Sequence, residues 1–234
     1  MAKKPIHVLS VGGSIIIPKT GFDIAFLRAF RAMILKEIKK GHRFLLVVGG
    51  GATSRTYQAA AMGVKDMTAR DLDLIGIEAT MLNATLLHHL FAGVVQKTIL
   101  RDPYIKHSLS KPLTIAAGYK PGNSTDWVAV QLAKTYGSTS VINLSNISHV
   151  YTKDPNLHAD AEPIARMDWK SFRSSFTPQT WTPGLSAPFD PIASREAEKM
   201  GCTVAVVLGT DLTQVSKAIN QKPFAGTLIV PTQK

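Results

Sequence analysis

The chain has 234 residues, 45% hydrophobic and 18% charged, which is typical of an ordinary globular protein rather than a disordered one. No apolar run approaches the ~20 residues that a membrane-spanning helix needs, and the N-terminal segment lacks a signal-peptide core. A single cysteine, Cys202, excludes an intrachain disulfide and a cysteine-based metal cluster. These features predict a cytoplasmic protein with no membrane partner.

The net charge of +11 is compatible with two kinds of partner. A basic balance of this size is typical of many nucleic-acid-binding domains. Here, however, the basic residues are dispersed and form no stripe interleaved with aromatic residues, so we expect no nucleic-acid partner. Electrostatic steering of small phosphorylated molecules favours the same excess of cations.

Strand-like and helical patterns alternate along the chain. Strands are predicted over residues 6–11, 44–48, 94–95, 113–117, 140–146, 203–208 and 227–230. Helices are predicted after Asp23, after the glycines at 49–51, over 71–91, 125–136, 166–176 and 191–200, and after Asp211. The proline-rich segment 177–191 is predicted to be a loop. This order predicts an α/β fold, a three-layer α/β/α sandwich with a mainly parallel central sheet. We expect two lobes in one compact unit, 1–111 and 112–234.

Two of the predicted strands end at glycines, in Gly12-Gly13-Ser14 and in Gly49-Gly50-Gly51. Glycine permits positive φ angles and close approach of a ligand to the backbone. A helix N-terminus that follows directly offers free N–H groups and partial positive charge to a phosphate. Arg55, one turn further, can add a bidentate contact. The two junctions therefore predict two phosphate sites, or one phosphate held between them; the alternative is a pair of tight turns.

A third polar junction follows the strand at 113–117. Its polar residues are Lys120, Asn123, Ser124, Thr125 and Asp126. Ser124 or Thr125 can cap the next helix, so a capped loop is the simpler reading, but the density of polar groups favours a site. Ligands in parallel α/β proteins gather at the carboxyl ends of strands, where these junctions fall. His88 and His89 have no third ligand at metal-binding spacing, and we predict no metal-ligating residue.

Taken together, these segments resemble the amino-acid-kinase superfamily and, within it, the short uridylate kinases typical of archaea. The resemblance rests on the two glycine junctions, Arg55, the ordered motifs at 73–83, 121–126 and 150–155, and Gly226-Thr227. It spans nearly the whole chain. It implies transfer of the γ-phosphoryl group of ATP to UMP, giving UDP in pyrimidine nucleotide biosynthesis, with Mg²⁺ as cofactor. It also implies a homo-oligomer, for instance a homohexamer.

The resemblance assigns roles to individual residues. Lobe 1–111 would bind the acceptor and lobe 112–234 the adenine nucleotide. The residues implied in catalysis are Asp126, Gly12, Gly13 and Ser14. Those implied in UMP binding are Gly50, Gly51, Arg55, Asp73 and Thr125. Those implied in ATP binding are Gly13, Asn146, Tyr151 and Asp154.

The sequence departs from the family pattern at two places. Many members have a lysine two residues before the first glycine pair, where this chain has Ser10; Lys19 or Lys120 is a candidate replacement. Ser148-His149 replaces a usual Asp-Gly pair in the nucleotide turn. Two alternatives therefore stay open at this point. One is a kinase of the same fold acting on another small phosphate or carboxylate, and the other is a non-catalytic nucleotide-binding or storage relative.

Overall fold

A computed structural model describes residues 6–155, 157–176 and 187–232. The strands are β1 Ile6–Val11, β2 Arg43–Val48, β3 Leu113–Ala116, β4 Ser140–Ser145, β5 Val150–Tyr151, β6 Pro163–Ile164, β7 Arg166–Asp168, β8 Thr203–Leu208 and β9 Thr227–Val230. The helices are α1 Gly13–Ile16, α2 Ile24–Lys39, α3 Gly51–Val64, α4 Ala69–Leu90, α5 Thr125–Tyr136, α6 Trp169–Phe176, α7 Pro191–Lys199 and α8 Leu212–Ile219.

A seven-stranded sheet in the order β3-β2-β1-β4-β8-β9-β7 forms the centre of the molecule. Every neighbouring pair is parallel except β8 and β9, which are antiparallel. The central strands are mainly apolar because both faces of the sheet are covered. The predicted α/β fold with a mainly parallel sheet is confirmed.

Helices cover the two faces of the sheet and enclose two cores. One core contains residues of α2, α4 and α8, such as Phe30, Leu87 and Val215. The other contains residues of α5, α6 and α7, such as Trp127 and Phe172. The predicted three-layer α/β/α arrangement follows from this division. In the described residues no helix is long and apolar enough to cross a membrane.

Side-chain caps set the starts of the main helices. The predicted cap at Asp23 is confirmed, since its carboxylate accepts the Phe26 N–H at 2.8 Å. Helix α4 begins at a capping box that was not expected, in which Thr68 and Asp71 each accept the other's backbone N–H. Ser124 caps α5, and Gly137 ends it with a positive φ.

Two predicted elements are wrong. Residues 94–95 form no strand, because only Val95 makes an isolated bridge to the edge strand β3. The helix predicted over 166–176 begins at Trp169, since residues 166–168 form β7 and pair with β9. That pairing depends on residues 62 positions later, which helical periodicity cannot reveal. Residues 177–186 of the predicted proline-rich loop lie outside the described residues.

The last strand in chain order is inserted between two earlier ones. β9 lies between β8 and β7 and is the sole sheet neighbour of β7 in the described sheet. Its first residue, Thr227, is fully buried. The Thr227 hydroxyl accepts the Val150 N–H at 2.8 Å and donates to the Ile164 carbonyl at 2.5 Å. The small β5–β6 hairpin is therefore anchored to the main sheet by this strand.

Candidate functional site

The two glycine junctions lie in direct contact. β1 and β2 are parallel neighbours, and the Gly49 N–H donates to the Val11 carbonyl at 3.0 Å. A Cβ on Gly13 would lie 2.0 Å from the Gly51 nitrogen, and one on Gly51 would lie 2.2 Å from the Gly13 oxygen. Gly51 also has a φ of +58°. Side chains are therefore excluded at both positions, because the two backbone turns touch each other.

Helix α3 begins at Gly51, inside the glycine run rather than at the Thr/Ser pair that follows it. One N–H of its first turn is not available to a ligand, because Ala52 donates to the Ile17 carbonyl at 3.1 Å. Arg55 lies one turn into the helix and is exposed. The junction thus combines a helix N-terminus with a solvent-accessible guanidinium.

Asn83 of helix α4 is hydrogen-bonded to the second glycine junction. Its side-chain amide donates to the carbonyls of Gly49 and Gly50, both at 2.9 Å, and its oxygen accepts from the Thr53 hydroxyl at 3.2 Å. Asn83 is only 1% exposed. A polar residue at a buried position of helix α4 is the signal that points to this role, but its partners cannot be identified from spacing.

Asp73 ties helix α4 to the loop before α5. Its Oδ2 accepts the Gly122 N–H at 2.7 Å. Burial raises the pKa of Asp73, and the hydrogen bond from Gly122 opposes that change only in part. Glu78, the other carboxylate near the start of α4, instead forms an exposed ion pair with Arg101 at 2.5 Å. Asp73 is thus the one of the two that reaches the polar loop.

Asp126 stands in the first turn of α5 and bonds to Ser10. The Ser10 hydroxyl, 1% exposed, donates to Asp126 Oδ1 at 2.7 Å. Burial is the main cause that raises the pKa of Asp126 to about 6; the Ser10 hydrogen bond opposes it, and the charge of Asp190 adds to it. A lysine at position 10 would lower this pKa by its charge, whereas serine offers only a neutral donor.

Asp190, which the sequence indicates only as a helix cap, also acts through its charge on Asp126. It does cap α7, accepting the Ala193 N–H at 2.6 Å. Burial raises the pKa of Asp190, against hydrogen bonds from the start of α7 and from Ser124. Its electrostatic coupling to Asp126 could not be predicted, because 64 residues separate the two carboxylates in the chain.

The two candidate replacement lysines lie on the surface. Lys19 and Lys120 are both exposed. The Lys120 ammonium lies 4.7 Å from the ring centroid of Tyr119, which stacks on Trp127 at 6.1 Å. Among the contacts recorded for the described residues, neither ammonium bonds to Asp126, so substitution for the missing lysine stays a prediction.

The turn that follows β4 carries the second departure from the family pattern. The Ser148 hydroxyl lies 2.8 Å from the Tyr151 hydroxyl and 3.2 Å from His149 Nδ1. Burial lowers the pKa of His149. Ser148 and His149 therefore fix the orientation of Tyr151, while Asn146 and Asp154 are exposed on either side of the turn.

The predicted site residues thus form two groups at the carboxyl edge of the parallel strands. The first group comprises the ends of β1 and β2 with Arg55, Asp73, Thr125 and Asp126. The second group follows β4 and comprises Asn146, Tyr151 and Asp154. In the described residues no cluster of three or more His, Cys, Asp or Glu side chains could hold a metal ion.

A parallel sheet with glycine turns and helix N-termini at its carboxyl edge defines the class of phosphate-binding α/β proteins. Within that class, the chain belongs to the amino acid kinase family, which it matches over residues 5–208.

Relatives of the chain support a narrower resemblance. A uridylate kinase of Methanocaldococcus jannaschii is 32% identical over 95% of this chain and 98% of the relative. A uridylate kinase of Methanoregula boonei is 31% identical, over 97% of this chain and 96% of the relative. The crystal structure of the Archaeoglobus fulgidus uridylate kinase superposes with a TM-score of 0.81 at 27% identity, covering 97% of this chain and all of that one. The resemblance to uridylate kinases is confirmed.

Proposed function

We propose that this protein is a uridylate kinase that transfers the γ-phosphoryl group of ATP to the phosphate of UMP, giving UDP and ADP. The observation that carries the proposal is the contact between the two glycine junctions beside Asp126, which brings two phosphate-suited turns to one place. The relatives named uridylate kinase, matched over almost their full length, support the choice of acceptor.

In this proposal the first group of residues binds UMP. The backbone of Gly50 and Gly51 and the guanidinium of Arg55 receive its phosphate, because N–H groups and a planar fork both suit a phosphate anion. Asp73 uses one carboxylate oxygen for the Gly122 N–H, so the other can accept a hydrogen bond from a ribose hydroxyl. Thr125, the first residue of α5 after that loop, is also assigned to the acceptor.

An oxygen of the UMP phosphate attacks the γ-phosphorus, and the bond from that phosphorus to the β–γ bridging oxygen breaks, so ADP leaves. Such a reaction needs positioning and charge stabilisation more than covalent help. Gly13 and Ser14 are assigned to the phosphoryl group in transit through their backbone N–H groups. The Gly12 N–H donates to the Leu144 carbonyl at 3.1 Å, so Gly12 is assigned the role of shaping the turn. Asp126 organises the donors around it through Ser10 and the start of α5.

The donor nucleotide is assigned to the second group, with Tyr151 oriented by Ser148, and with Asn146, Asp154 and Gly13 completing the contacts. Mg²⁺ belongs to the proposal as an ion carried by the ATP phosphates, where it neutralises negative charge. Mg²⁺ commonly takes one or two carboxylates in addition to phosphates and water. An ion held by phosphates and water needs no larger cluster of protein ligands, and the described residues contain none.

An assay for ADP release with ATP, Mg²⁺ and a panel of acceptors tests the function. The panel contains UMP, CMP, AMP, isopentenyl phosphate and acetylglutamate. We expect ADP to form selectively with UMP. Selective turnover of another acceptor would move the substrate while keeping the fold. Binding of ATP and UMP without turnover of any acceptor would support a non-catalytic relative and contradict the proposal.

Replacement of Arg55 tests the acceptor site. Arg55→Ala should raise the KM for UMP by about 10- to 100-fold, because a charge-assisted contact to a phosphate is worth about 1.5–3 kcal/mol. The KM for ATP should stay unchanged. Arg28→Ala, at an exposed arginine of α2, is the matched control and should alter neither value. An unchanged KM for UMP in Arg55→Ala would contradict the placement of the acceptor.

Three wider features complete the proposal. Lobe 1–111 binds the acceptor and lobe 112–234 the nucleotide. Copies of the chain associate, for instance as a homohexamer; half-exposed apolar side chains such as Phe22, Ile24 and Leu82 favour such contacts. Light scattering after size-exclusion chromatography tests the assembly, and a monomer would contradict it. The enzyme works in the cytoplasm, where its substrates are made, which cell fractionation can test.

A further inference from the structure

Asn83 belongs to one of the motifs that carry the family resemblance, yet it has no part in the transfer proposed above. It lies in helix α4 and is 1% exposed. Its amide nitrogen donates to the carbonyls of Gly49 and Gly50, both at 2.9 Å. One buried amide thus binds two successive peptide groups of the second glycine junction.

Thr53 and the two carbonyls fix the orientation of this amide. The Thr53 hydroxyl, in the first turn of α3, donates to the Asn83 side-chain oxygen at 3.2 Å. A half-turn of the amide would place that oxygen against two carbonyl oxygens, neither of which is a donor. The NH₂ group of Asn83 therefore faces the glycine junction and its oxygen faces α3.

The direction of the two carbonyls sets the direction of the N–H groups that follow them. A trans peptide group is planar, so its C=O and N–H bonds point in opposite directions. The described residues contain no cis peptide bond. Because the Gly49 and Gly50 carbonyls point toward Asn83, the N–H groups of Gly50 and Gly51 point away from it. In the described part of the chain, neither N–H donates to a backbone carbonyl.

The Gly49 carbonyl depends on Asn83 more than the Gly50 carbonyl does. The Gly50 carbonyl also accepts the Ser54 N–H at 3.2 Å, which is the first backbone bond of α3. Within the described residues, Asn83 is the only hydrogen-bond donor to the Gly49 carbonyl. The peptide group that carries the Gly50 N–H is therefore held at its oxygen by Asn83 alone.

We propose that Asn83 is a positioning residue, which orients the Gly50 and Gly51 N–H groups toward the phosphate of the acceptor. The inference rests on the proposed function, in which these groups receive UMP. N–H groups that already point at an anion need no reorientation when it binds. Without Asn83 the peptide between Gly49 and Gly50 is free to rotate, and ordering it again on binding costs affinity.

The simpler alternative is that Asn83 only satisfies buried carbonyls, so that its loss would reduce stability without a selective effect on the acceptor. Steady-state kinetics of Asn83→Ala separates the two. The KM for UMP should rise by about tenfold or more, because hydrogen bonds to a charged phosphate are stronger than neutral ones. The KM for ATP should not change.

Asn220→Ala is the matched control for lost stability. Asn220 also donates its amide to two acceptors, the Glu37 carboxylate at 3.1 Å and the Ser216 carbonyl at 2.7 Å. Glu37 lies shortly before the start of β2, whereas the second glycine junction follows the end of that strand. Both alanine variants should melt at a lower temperature, since each leaves buried acceptors without a donor. Only Asn83→Ala should change the KM for UMP.

Two substitutions of Thr53 test the orientation of the amide while leaving Asn83 in place. Thr53→Val keeps the shape of the side chain but removes the hydroxyl that donates to Asn83. It should raise the KM for UMP by about two- to tenfold, as expected for a neutral hydrogen bond. Thr53→Ser keeps a hydroxyl and should restore the KM of the unchanged protein.

A KM for UMP in Asn83→Ala equal to that of the unchanged protein would overturn the inference. So would an equal rise in the KM values for UMP and ATP, or a Thr53→Ser variant as impaired as Thr53→Val. Failure of the proposed function would look different, because the unchanged protein itself would then form no UDP from UMP.

Discussion

At the scale of single residues, the exchange of a lysine for Ser10 alters the electrostatics of the candidate catalytic carboxylate. Ser10 keeps a hydrogen bond to Asp126 at 2.7 Å but brings no positive charge. The Ser10 hydrogen bond lowers the pKa of Asp126, but burial outweighs it and raises the pKa to about 6. A carboxylate with this pKa changes its charge close to the working pH of most cells, so the exchange should be visible in pH profiles.

We expect kcat to rise with pH through about 6 as Asp126 ionises. In Ser10→Ala the midpoint of this rise should lie about one pH unit higher. The reason is that the Ser10 hydrogen bond favours the ionised form, at roughly 1.5–3 kcal/mol for a bond to a charged group. Rates of UDP formation between pH 5 and pH 9 measure the effect. Asp126→Asn should abolish the limb together with most of the activity; a Ser10→Ala profile that matches the unchanged enzyme would contradict this account.

The same residue gives a prediction for stability. Because the folded pKa of Asp126 lies above its ordinary value of 3.8, the folded state favours the protonated form. Its contribution to stability is complete below about pH 4 and is lost as pH rises through about 6, on the order of 3 kcal/mol in all. Urea unfolding at several pH values should show this decline, and Asp126→Asn should remove it. An Asp126→Asn curve that still falls over this range would assign the decline to another group.

At the scale of elements, the contact between the two glycine junctions makes the ends of β1 and β2 a single unit. Gly13→Ala should lower the free energy of unfolding by about 3 kcal/mol or more, because its Cβ would lie 2.0 Å from the Gly51 nitrogen. Gly63→Ala is the matched control: it lies in α3 with open space around a Cβ, and should stabilise by about 0.5–1 kcal/mol. Urea unfolding measures both, and equal values would show that the junctions can separate freely.

The elements also show what can be predicted from sequence. Apolar runs ending at glycines gave β1 and β2, and cap residues such as Asp23 and Ser124 gave helix starts, because these signals are local. The bond from Asn83 to the glycine carbonyls, the coupling of Asp126 to Asp190, and the pairing of β7 with β9 could not be predicted. Each joins residues far apart in the chain, which only the folded topology brings together.

At the scale of the whole molecule, the net charge of +11 should accelerate capture of anionic substrates. Raising KCl from about 50 to about 500 mM should lower kcat/KM for UMP several-fold, because screening shortens the reach of the protein's field. Saturated kcat should change little, since bound substrate is already in place. Steady-state kinetics at both salt concentrations separates these parameters. If kcat/KM were insensitive to salt, the charge would have no role in substrate capture.

The position of β9 has a consequence for how the protein is made. During synthesis β7 and the β5–β6 hairpin leave the ribosome before their partner exists, because β9 is the last strand in chain order. Until Thr227 emerges, the Val150 N–H and the Ile164 carbonyl lack the hydroxyl that joins them. The turn that carries Tyr151 is thus completed only after β9 has emerged, whereas the contact between the glycine junctions of β1 and β2 can form much earlier in synthesis.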